Sequence, residues 1–299
     1  MKIAQFLSLV MLTLGVMGKS QAAAPVAADC DRRCLLQVLT NYTEALAFNE
    51  PASLPLAPTV RVTANGVLQT GAGKSEVWGN IRRIPFRQAF VDPQTGSAIF
   101  MGVLTNTPTR NAQRWWFYNV RLKIEQRRII EIEEISFDGT LGNTPASSLR
   151  LPDRTWDTVL PQAERSTREQ LFALADDYFS AVSHEKPYFA EVPWHPECQR
   201  IELGTFTVNS ELNAGSCGGE FRTPSMKWNV RNRRFYIADV ERGVVVAVGN
   251  FTTPPEYPNN NGSVVFEVFK VQDGMIRHIE AFFRANGQLH SGWGEGPGS

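Results

Sequence analysis

The chain has 299 residues, of which 42% are hydrophobic, and its 30 Lys and Arg residues balance its 30 Asp and Glu residues. A formal net charge of zero supplies no basic surface of the kind that nucleic acids or anionic lipids require, so those two classes of partner are excluded. The apolar fraction is sufficient for two small hydrophobic cores.

Residues 1–24 have the composition of an export signal. Lys2 provides the positive charge, an apolar run extends from Phe6 to Met17, and Ala22 to Ala24 offer small residues for cleavage. The apolar run is too short and too poorly flanked for a membrane-spanning helix. We therefore expect a mature chain that is soluble, has no membrane span, and is periplasmic or secreted.

Four cysteines in an exported chain predict disulfide bonds. Cys198 and Cys217 bracket a Gly-rich loop and form a plausible pair, whereas Cys30 and Cys34 could bond to each other or to other partners. Metal ligation is the alternative, but no His stands at ligand spacing from either pair. We expect no metal and no other cofactor.

In chain order, each half opens with an amphipathic helix. The first carries an apolar stripe from Leu35 to Leu46, and the second follows the capping-box sequence at 166–169 and continues to Val182. Tyr42 and Tyr178 occupy corresponding places in the two helices. Each half therefore begins in the same way.

After each helix the hydrophobic pattern alternates with the period of β-strands. The first half predicts strands at 97–105, 115–124 and 129–137, and the second predicts strands at 244–252, 263–271 and 276–283. Asp273-Gly274 is a strong hairpin signal between the last two. Both halves thus predict a helix followed by a sheet that ends in a long hairpin.

The second half repeats the first at a fixed offset of 147 residues. Ten identities in the 51 positions from 87 to 137 carry the repeat. The pairs are Arg87/Arg234, Asp92/Asp239, Gly96/Gly243, Gly102/Gly249, Thr105/Thr252, Pro108/Pro255, Lys123/Lys270, Ile129/Ile276, Ile132/Ile279 and Glu133/Glu280. We predict domains at 30–138 and 164–290, a linker at 139–163 and a flexible tail at 291–299.

The closing hairpin "VVFEVFKVQDGMIRHIEAFF" and the helix "EQLFALADDYFSAV" resemble the SnoaL-like, nuclear transport factor 2-like superfamily. The stretch "VPWHPECQRIELGTFT" resembles a subgroup of exported tandem proteins of this type. The resemblance implies an α+β cone around a hydrophobic pocket, used for cofactor-free acid/base chemistry or for binding without catalysis. We expect two such domains, each a curved antiparallel sheet covered by a helix, packed sheet to sheet as an intramolecular pseudo-dimer.

The repeat shows which inward positions have changed between the copies. Period-two alternation places Val62, Ala64 and Val120 on the buried face of the first sheet. The second copy replaces them with Arg200, Glu202 and Glu267, and it also replaces Val103 with Asn250 and Ala57 with His195. Polar groups on a buried face cost several kcal/mol unless they are paired, so these changes indicate a lined cavity. The alternatives are a structural ion pair between Arg200 and Glu202, or a wet contact between the two halves.

Other polar and aromatic residues complete the candidate site. Trp194 and His195 precede the changed strand, and Tyr178 lies on the second helix. His278 shares a strand face with Glu280, whose carboxylate recurs in both copies and is therefore interpreted as structural. A lone His is commonly a surface or structural residue, which is the alternative for both histidines.

The leading hypothesis is a cofactor-independent lyase, isomerase or cyclase acting on a hydrophobic, aromatic small molecule in the second domain. His195 or Glu202 would be the base, and Arg200 would stabilise a developing oxyanion. Tyr178, Glu267, Asn250, His278 and Trp194 would contact the substrate. The rivals are an exported small-molecule-binding protein and a structural interaction module. The first domain, with apolar inward positions, would be a scaffold, and the chain would be a monomer or a homodimer.

Overall fold

The structure is a computed structural model, and it describes the chain in eight segments. These are residues 29–107, 114–138, 154–183, 192–208, 217–218, 228–252, 262–285 and 293. The predicted signal peptide, most of the predicted linker and the tail beyond residue 293 lie outside them. Within the eight segments, no helix is both long and apolar enough to cross a membrane.

In these segments, each half of the chain forms one long helix and a six-stranded sheet. The first half contains α1 (Arg32–Phe48), β1 (Leu56–Ala64), β2 (Val67–Leu68), β3 (Arg83–Asp92), β4 (Ser97–Thr105), β5 (Trp115–Glu125) and β6 (Arg128–Asp138). The second half contains α2 (Arg168–Val182), β7 (Trp194–Glu202), β8 (Thr205–Val208), β9 (Asn229–Asp239), β10 (Val244–Thr252), β11 (Ser263–Gln272) and β12 (Met275–Ala285). The predicted α+β class with two tandem helix-plus-sheet domains is confirmed.

The two sheets share one topology. Their strand orders are β2-β1-β6-β5-β4-β3 and β8-β7-β12-β11-β10-β9. Asp92 ends β3 as Asp239 ends β9, and Glu133 lies in β6 as Glu280 lies in β12. The repeat in the sequence is therefore also a repeat of structure.

Two details of the predicted elements need correction. The sheets are mixed, because β1 pairs parallel with β6 and β7 pairs parallel with β12. Alternation identifies strands but not their direction, so the sequence could not show this. The capping box of α2 joins Thr167 to Gln170, one residue later than predicted, since the same pattern fits the sequence in both registers.

The halves pack through the outer faces of their sheets, as the pseudo-dimer prediction requires. Phe117 of β5 meets Phe282 of β12 with ring centroids 5.1 Å apart. Side chains from both sheets form a single buried apolar cluster, which includes Phe86, Met101, Val246 and Phe266. The interior of each cone faces the other way, toward its own helix.

Two equivalent ion pairs cross between the halves. Arg32, at the start of α1, lies 2.8 Å from the carboxylate of Asp239, and Arg168, at the start of α2, lies 2.6 Å from that of Asp92. Each helix start is thus tied to the end of a strand in the opposite half. This reciprocal arrangement is what an approximate two-fold axis produces.

A buried carboxylate between the halves supports the structural role assigned to a recurring residue. Glu133 accepts hydrogen bonds from Arg121 of its own sheet and from Arg234 and Tyr236 of the other. All four residues join the two sheets rather than line a cavity.

Trp156 of the predicted linker and Trp293 of the predicted tail both contact the domains. Trp156 is buried against Phe90, with ring centroids 5.6 Å apart. The Trp293 indole donates to Thr63 at 2.8 Å, and the Arg121 guanidinium lies 4.7 Å from its ring. Both side chains bury an aromatic ring against the domains, a gain that outweighs the Gly- and Pro-rich composition around them.

Both disulfides form within the described residues. Cys198 bonds Cys217, and Cys30 bonds Cys34 locally at the start of α1. The metal-ligation alternative is therefore wrong for these cysteines. Two disulfides fit an oxidising compartment.

Candidate functional site

The second domain contains a cavity of about 250 Å³ between α2 and the inner face of its sheet. The described residues that line it are Tyr178, Val182, Arg200, Glu202, Trp228, Phe251, Ser263, Val265, Glu267, Ala281 and Phe283. Its volume lies just below the roughly 300–1,000 Å³ of pockets for drug-sized ligands, which favours a molecule of one or two rings. The wall is mostly apolar and aromatic, with its charges concentrated on β7 and β11.

Strand alternation brings three sequence-predicted residues into this cavity. Arg200 and Glu202 are two residues apart on β7 and therefore share its inner face, and Glu267 projects from β11. The Arg200 guanidinium contacts the carboxylate of Glu202 directly. The Arg200 side chain is 9% exposed and that of Glu202 is 27% exposed, so the ion pair has its carboxylate end nearer to solvent.

Glu267 is the fully enclosed carboxyl group of the cavity. Tyr178 donates a hydrogen bond to it, while its Oε2 atom has no hydrogen-bond partner among the described residues. Burial raises the pKa of Glu267 to about 7, against the opposing effects of the Arg200 charge and the Tyr178 hydroxyl. Burial also raises the pKa of Tyr178 well above its usual range, so Tyr178 stays a neutral donor. The site therefore offers a carboxyl group that changes protonation near neutral pH.

Aromatic packing holds the Tyr178 side chain in place. Its ring lies 4.9 Å from that of Phe269 and 6.1 Å from that of Trp194, centroid to centroid. Trp194 is in turn backed by Gly218, where an added Cβ atom would come within 2.8 Å of the indole nitrogen. Gly218 follows Cys217, which is bonded to Cys198, so the disulfide holds Gly218 in place behind Trp194. Trp194 does not line the cavity, so its contact with a substrate would be indirect.

His195, His278 and Asn250 lie outside the cavity, which corrects their predicted grouping with Arg200. His195 is at the opposite end of β7, where its Nδ1 atom accepts from the Glu197 amide at 3.1 Å. His195 comes before the irregularity of β7, where the pairing with β12 jumps from Trp194 to Gln199, whereas Arg200 and Glu202 follow it in regular register. Closeness in sequence to Arg200 therefore did not place His195 in the cavity.

Asn250 and His278 lie outside the cavity for a different reason. Asn250 alternates with the cavity residue Phe251, and His278 alternates with the core residue Ile279, so both point to the opposite face of the sheet. His278 packs there against Trp156, with ring centroids 5.1 Å apart. His278 therefore meets the predicted linker rather than the cavity.

In the first domain, Val62 and Val120 belong to the buried apolar core, but its interior is not purely apolar. Glu134 is buried there and its Oε1 atom accepts from Tyr42 at 2.5 Å, Tyr118 at 2.8 Å and Trp78 at 2.9 Å. The sequence comparison looked for polar residues of the second copy that replace apolar residues of the first. It missed Glu134 because here the polar residue is in the first copy, and the second copy has Ala281 at the equivalent position. Glu134 pairs across β5 and β6 with Val120, so the buried carboxyl group has moved to the neighbouring strand in the second copy.

The part of the chain that the structure describes contains no cluster of three His, Cys, Asp or Glu side chains that could hold a metal ion. The described lining residues carry one guanidinium, two carboxyl groups, two hydroxyls and the indole N–H of Trp228. Such a set can bind, orient and exchange protons with an organic molecule.

Comparison with known proteins gives matches to a family model and to solved structures. Comparison with curated proteins gives no match. Among solved structures, the chain is similar to a "putative ketosteroid isomerase from Kribbella flavida DSM 17836" at 14% identity and a TM-score of 0.30, over 44% of this chain and 85% of that one. This level of similarity assigns no activity. The model described as "Domain of unknown function (DUF8021)" matches residues 164–283, which is the domain that contains the cavity.

Proposed function

We propose that the second-domain cavity is the active site of a cofactor-independent acid/base enzyme that acts on a hydrophobic molecule of one or two rings. The observation that carries the proposal is Glu267, a buried carboxyl group beside a free cavity volume, with one oxygen unpartnered among the described residues. Its pKa of about 7 suits a group that must take up and release a proton at neutral pH. Reaction types consistent with one such group are isomerisation, elimination by a lyase and cyclisation.

The charges of the cavity suit the removal of a proton from carbon beside a carbonyl group. Ionised Glu267 accepts the proton, and the electron pair moves to the carbonyl oxygen. Arg200 stabilises the resulting oxyanion, while the Tyr178 hydroxyl continues to donate to Glu267. The protonated Glu267 then returns the proton at a second carbon, giving an isomer, or to a departing group, giving elimination. Glu202 keeps the guanidinium in place and offsets its charge while the cavity is empty.

The test is exchange of carbon-bound hydrogen in deuterated water, followed by proton NMR on a panel of small aromatic ketones such as 2-tetralone and 2-indanone. We expect the protein to accelerate exchange and the Glu267→Gln variant to lose about 10²–10⁴-fold of that rate, as for removal of a general base. The matched control is Glu134→Gln, which changes a buried carboxyl group of the first domain and should leave the rate unchanged. A Glu267→Gln variant as fast as the wild type would exclude this mechanism.

One observation favours a second function, that of a binding protein without turnover. Arg200 is already engaged by Glu202, so this pair does not require a reacting group to neutralise it. Tight binding of panel members with no exchange of any of them would establish that function instead.

We further propose that the chain is an exported tandem protein cleaved after residue 24. The two disulfides and the composition of residues 1–24 support this. Sequencing the N-terminus of the protein secreted by its native host tests it, and a chain that retains Met1 to Ala24 would contradict it.

A further inference from the structure

The cavity has one more acidic than basic group. Arg200 is the sole basic side chain among the described lining residues, and it contacts Glu202. That pair is neutral as a unit. An ionised Glu267 then has no counter-charge of its own among the described lining residues. An uncompensated buried charge raises the free energy of the folded state. In the empty cavity, proton uptake by Glu267 relieves this cost.

Aromatic side chains surround the unbalanced carboxyl group. Four aromatic residues are among the described residues that line the cavity: Tyr178, Trp228, Phe251 and Phe283. The faces of aromatic rings attract cations and give an apolar, positively charged ligand a gain beyond simple burial. A carboxylate oxygen without a donor and an aromatic wall are complementary to the same kind of ligand group.

We infer that the ligand is a monocation, an aromatic molecule of one or two rings that carries a protonated amine donating to Oε2 of Glu267. The inference rests on the proposed function for the location of the site and names its substrate class. With such a ligand bound, two carboxylates, one guanidinium and one ammonium sum to zero charge. A carboxylate ligand would instead add a second uncompensated negative charge beside Glu267, and a neutral alcohol would leave the charge of an ionised Glu267 uncompensated.

The experiment compares three probes of one shape and different charge: benzylamine, benzyl alcohol and benzoate. Binding to the full chain is measured by calorimetry. We expect benzylamine to bind at least tenfold more tightly than either other probe near pH 8. The charged or titratable groups that face Glu267 from the helix and strands around it are Tyr178, Arg200 and Glu202. Since Glu267 has a pKa of about 7, benzylamine affinity should fall on the order of 10- to 30-fold from about pH 8.5 to about pH 5.5.

Variants assign the effect to its residue. Glu267→Gln keeps the shape and an acceptor oxygen, so it should abolish the preference for benzylamine and its pH dependence, whereas Glu134→Gln should keep both. If Glu267→Gln fails to fold, the preference among the three probes and its pH dependence in the wild type still decide the matter. Equal binding of alcohol and amine, or unchanged amine affinity in a folded Glu267→Gln variant, would overturn the inference.

The outcomes also separate this inference from the proposed function. Exchange of neutral ketones that depends on Glu267, without tighter binding of benzylamine, would leave the acid/base function standing and remove the cationic ligand. Selective binding of benzylamine, without exchange of amine-bearing or neutral ketones, would support the ligand class and remove the catalysis.

Discussion

Two buried glutamates show how hydrogen-bond partners separate a structural carboxyl group from a candidate reactive one. One oxygen of Glu134 accepts from three donors, and a filled core surrounds it. Glu267 lines the cavity and accepts from Tyr178, and its Oε2 atom has no hydrogen-bond partner among the described residues. The same residue type is thus fully bonded in one domain and only partly bonded in the other.

The raised pKa of Glu267 predicts a pH-dependent cost to stability. Its folded pKa of about 7 lies above the ordinary 4.5, so the folded chain binds this proton more tightly than the unfolded chain. Stability from this group is therefore full below about pH 4.5 and is lost as the pH rises through 7, by about 3 kcal/mol in total. We expect Glu267→Gln to melt at a higher temperature than the wild type near pH 8. The difference should shrink toward pH 5, and a constant difference would argue against the raised pKa.

Strand alternation predicted Arg200, Glu202 and Glu267 because burial on one face follows directly from period two. It also placed Asn250 on the inward face, whereas Asn250 alternates with the cavity residue Phe251. His278 was a candidate because it shares a strand face with Glu280, and His195 because it replaces Ala57 and lies close in sequence to Arg200 and Glu202. We therefore expect His195→Ala to leave ketone exchange within about twofold of the wild type in the NMR assay, because removal of a base that takes part would cost about 10²–10⁴-fold. A larger loss would return His195 to the site.

At the scale of elements, the duplicated turns before β4 and β10 are built alike. Gly96 and Gly243 have φ values of 65° and 60°, in the left-handed region that glycine adopts without strain. A Cβ atom there would lie 2.4 Å from the carbonyl oxygen of Ile124 or 2.1 Å from that of Val271. The recurring lysines reach the same turns, since Lys123 donates to the Thr95 carbonyl and Lys270 to that of Arg242. The turns recur because backbone geometry requires them.

Replacement of these glycines should separate steric clash from backbone strain. Gly243→Ala must move the Val271 backbone, so we expect a loss of more than about 2 kcal/mol in the free energy of unfolding. Gly274 has a similar φ of 71° but nothing within 4 Å of an added Cβ atom. Gly274→Ala should therefore cost about 1 kcal/mol, the strain alone. Equal losses in denaturant melts of the two variants would contradict the clash.

The two helices and the last three strands of each half were predictable because helix and strand periods are local, and the Asp-Gly hairpin between β11 and β12 formed as expected. Strands β2, β3, β8 and β9 were not predicted from the sequence. The parallel pairing of β1 with β6 could not be predicted, because it depends on contacts between residues about 70 positions apart. Trp156 likewise gains its burial only once both sheets are in place.

At the scale of the molecule, the two crossed ion pairs predict coupling between the halves. Asp92 accepts from the Ala238 amide at 3.1 Å as well as from Arg168. Asp92→Ala removes these two bonds and a third from the Gln94 amide, and it should cost about 2–4 kcal/mol. Arg168→Ala should cost less because Asp92 keeps both amide bonds. A double-mutant cycle by denaturant melts should give a coupling energy of about 1–3 kcal/mol. Additive losses would show that the ion pair contributes nothing between the halves.

The shared apolar cluster between the sheets makes a stronger prediction about folding. Val246, Phe266 and Phe282 of the second sheet are fully buried against the first, so separation of the halves would expose a large apolar face on each. At roughly 25 cal/mol per Å² of apolar surface, that exposure opposes independent unfolding of either domain. We therefore expect calorimetry of the whole chain with its disulfides intact to show one transition, with equal calorimetric and van't Hoff enthalpies. Two resolved transitions would mean that each cone is stable without the other, and that the first domain is a neighbour of the cavity domain rather than part of its support.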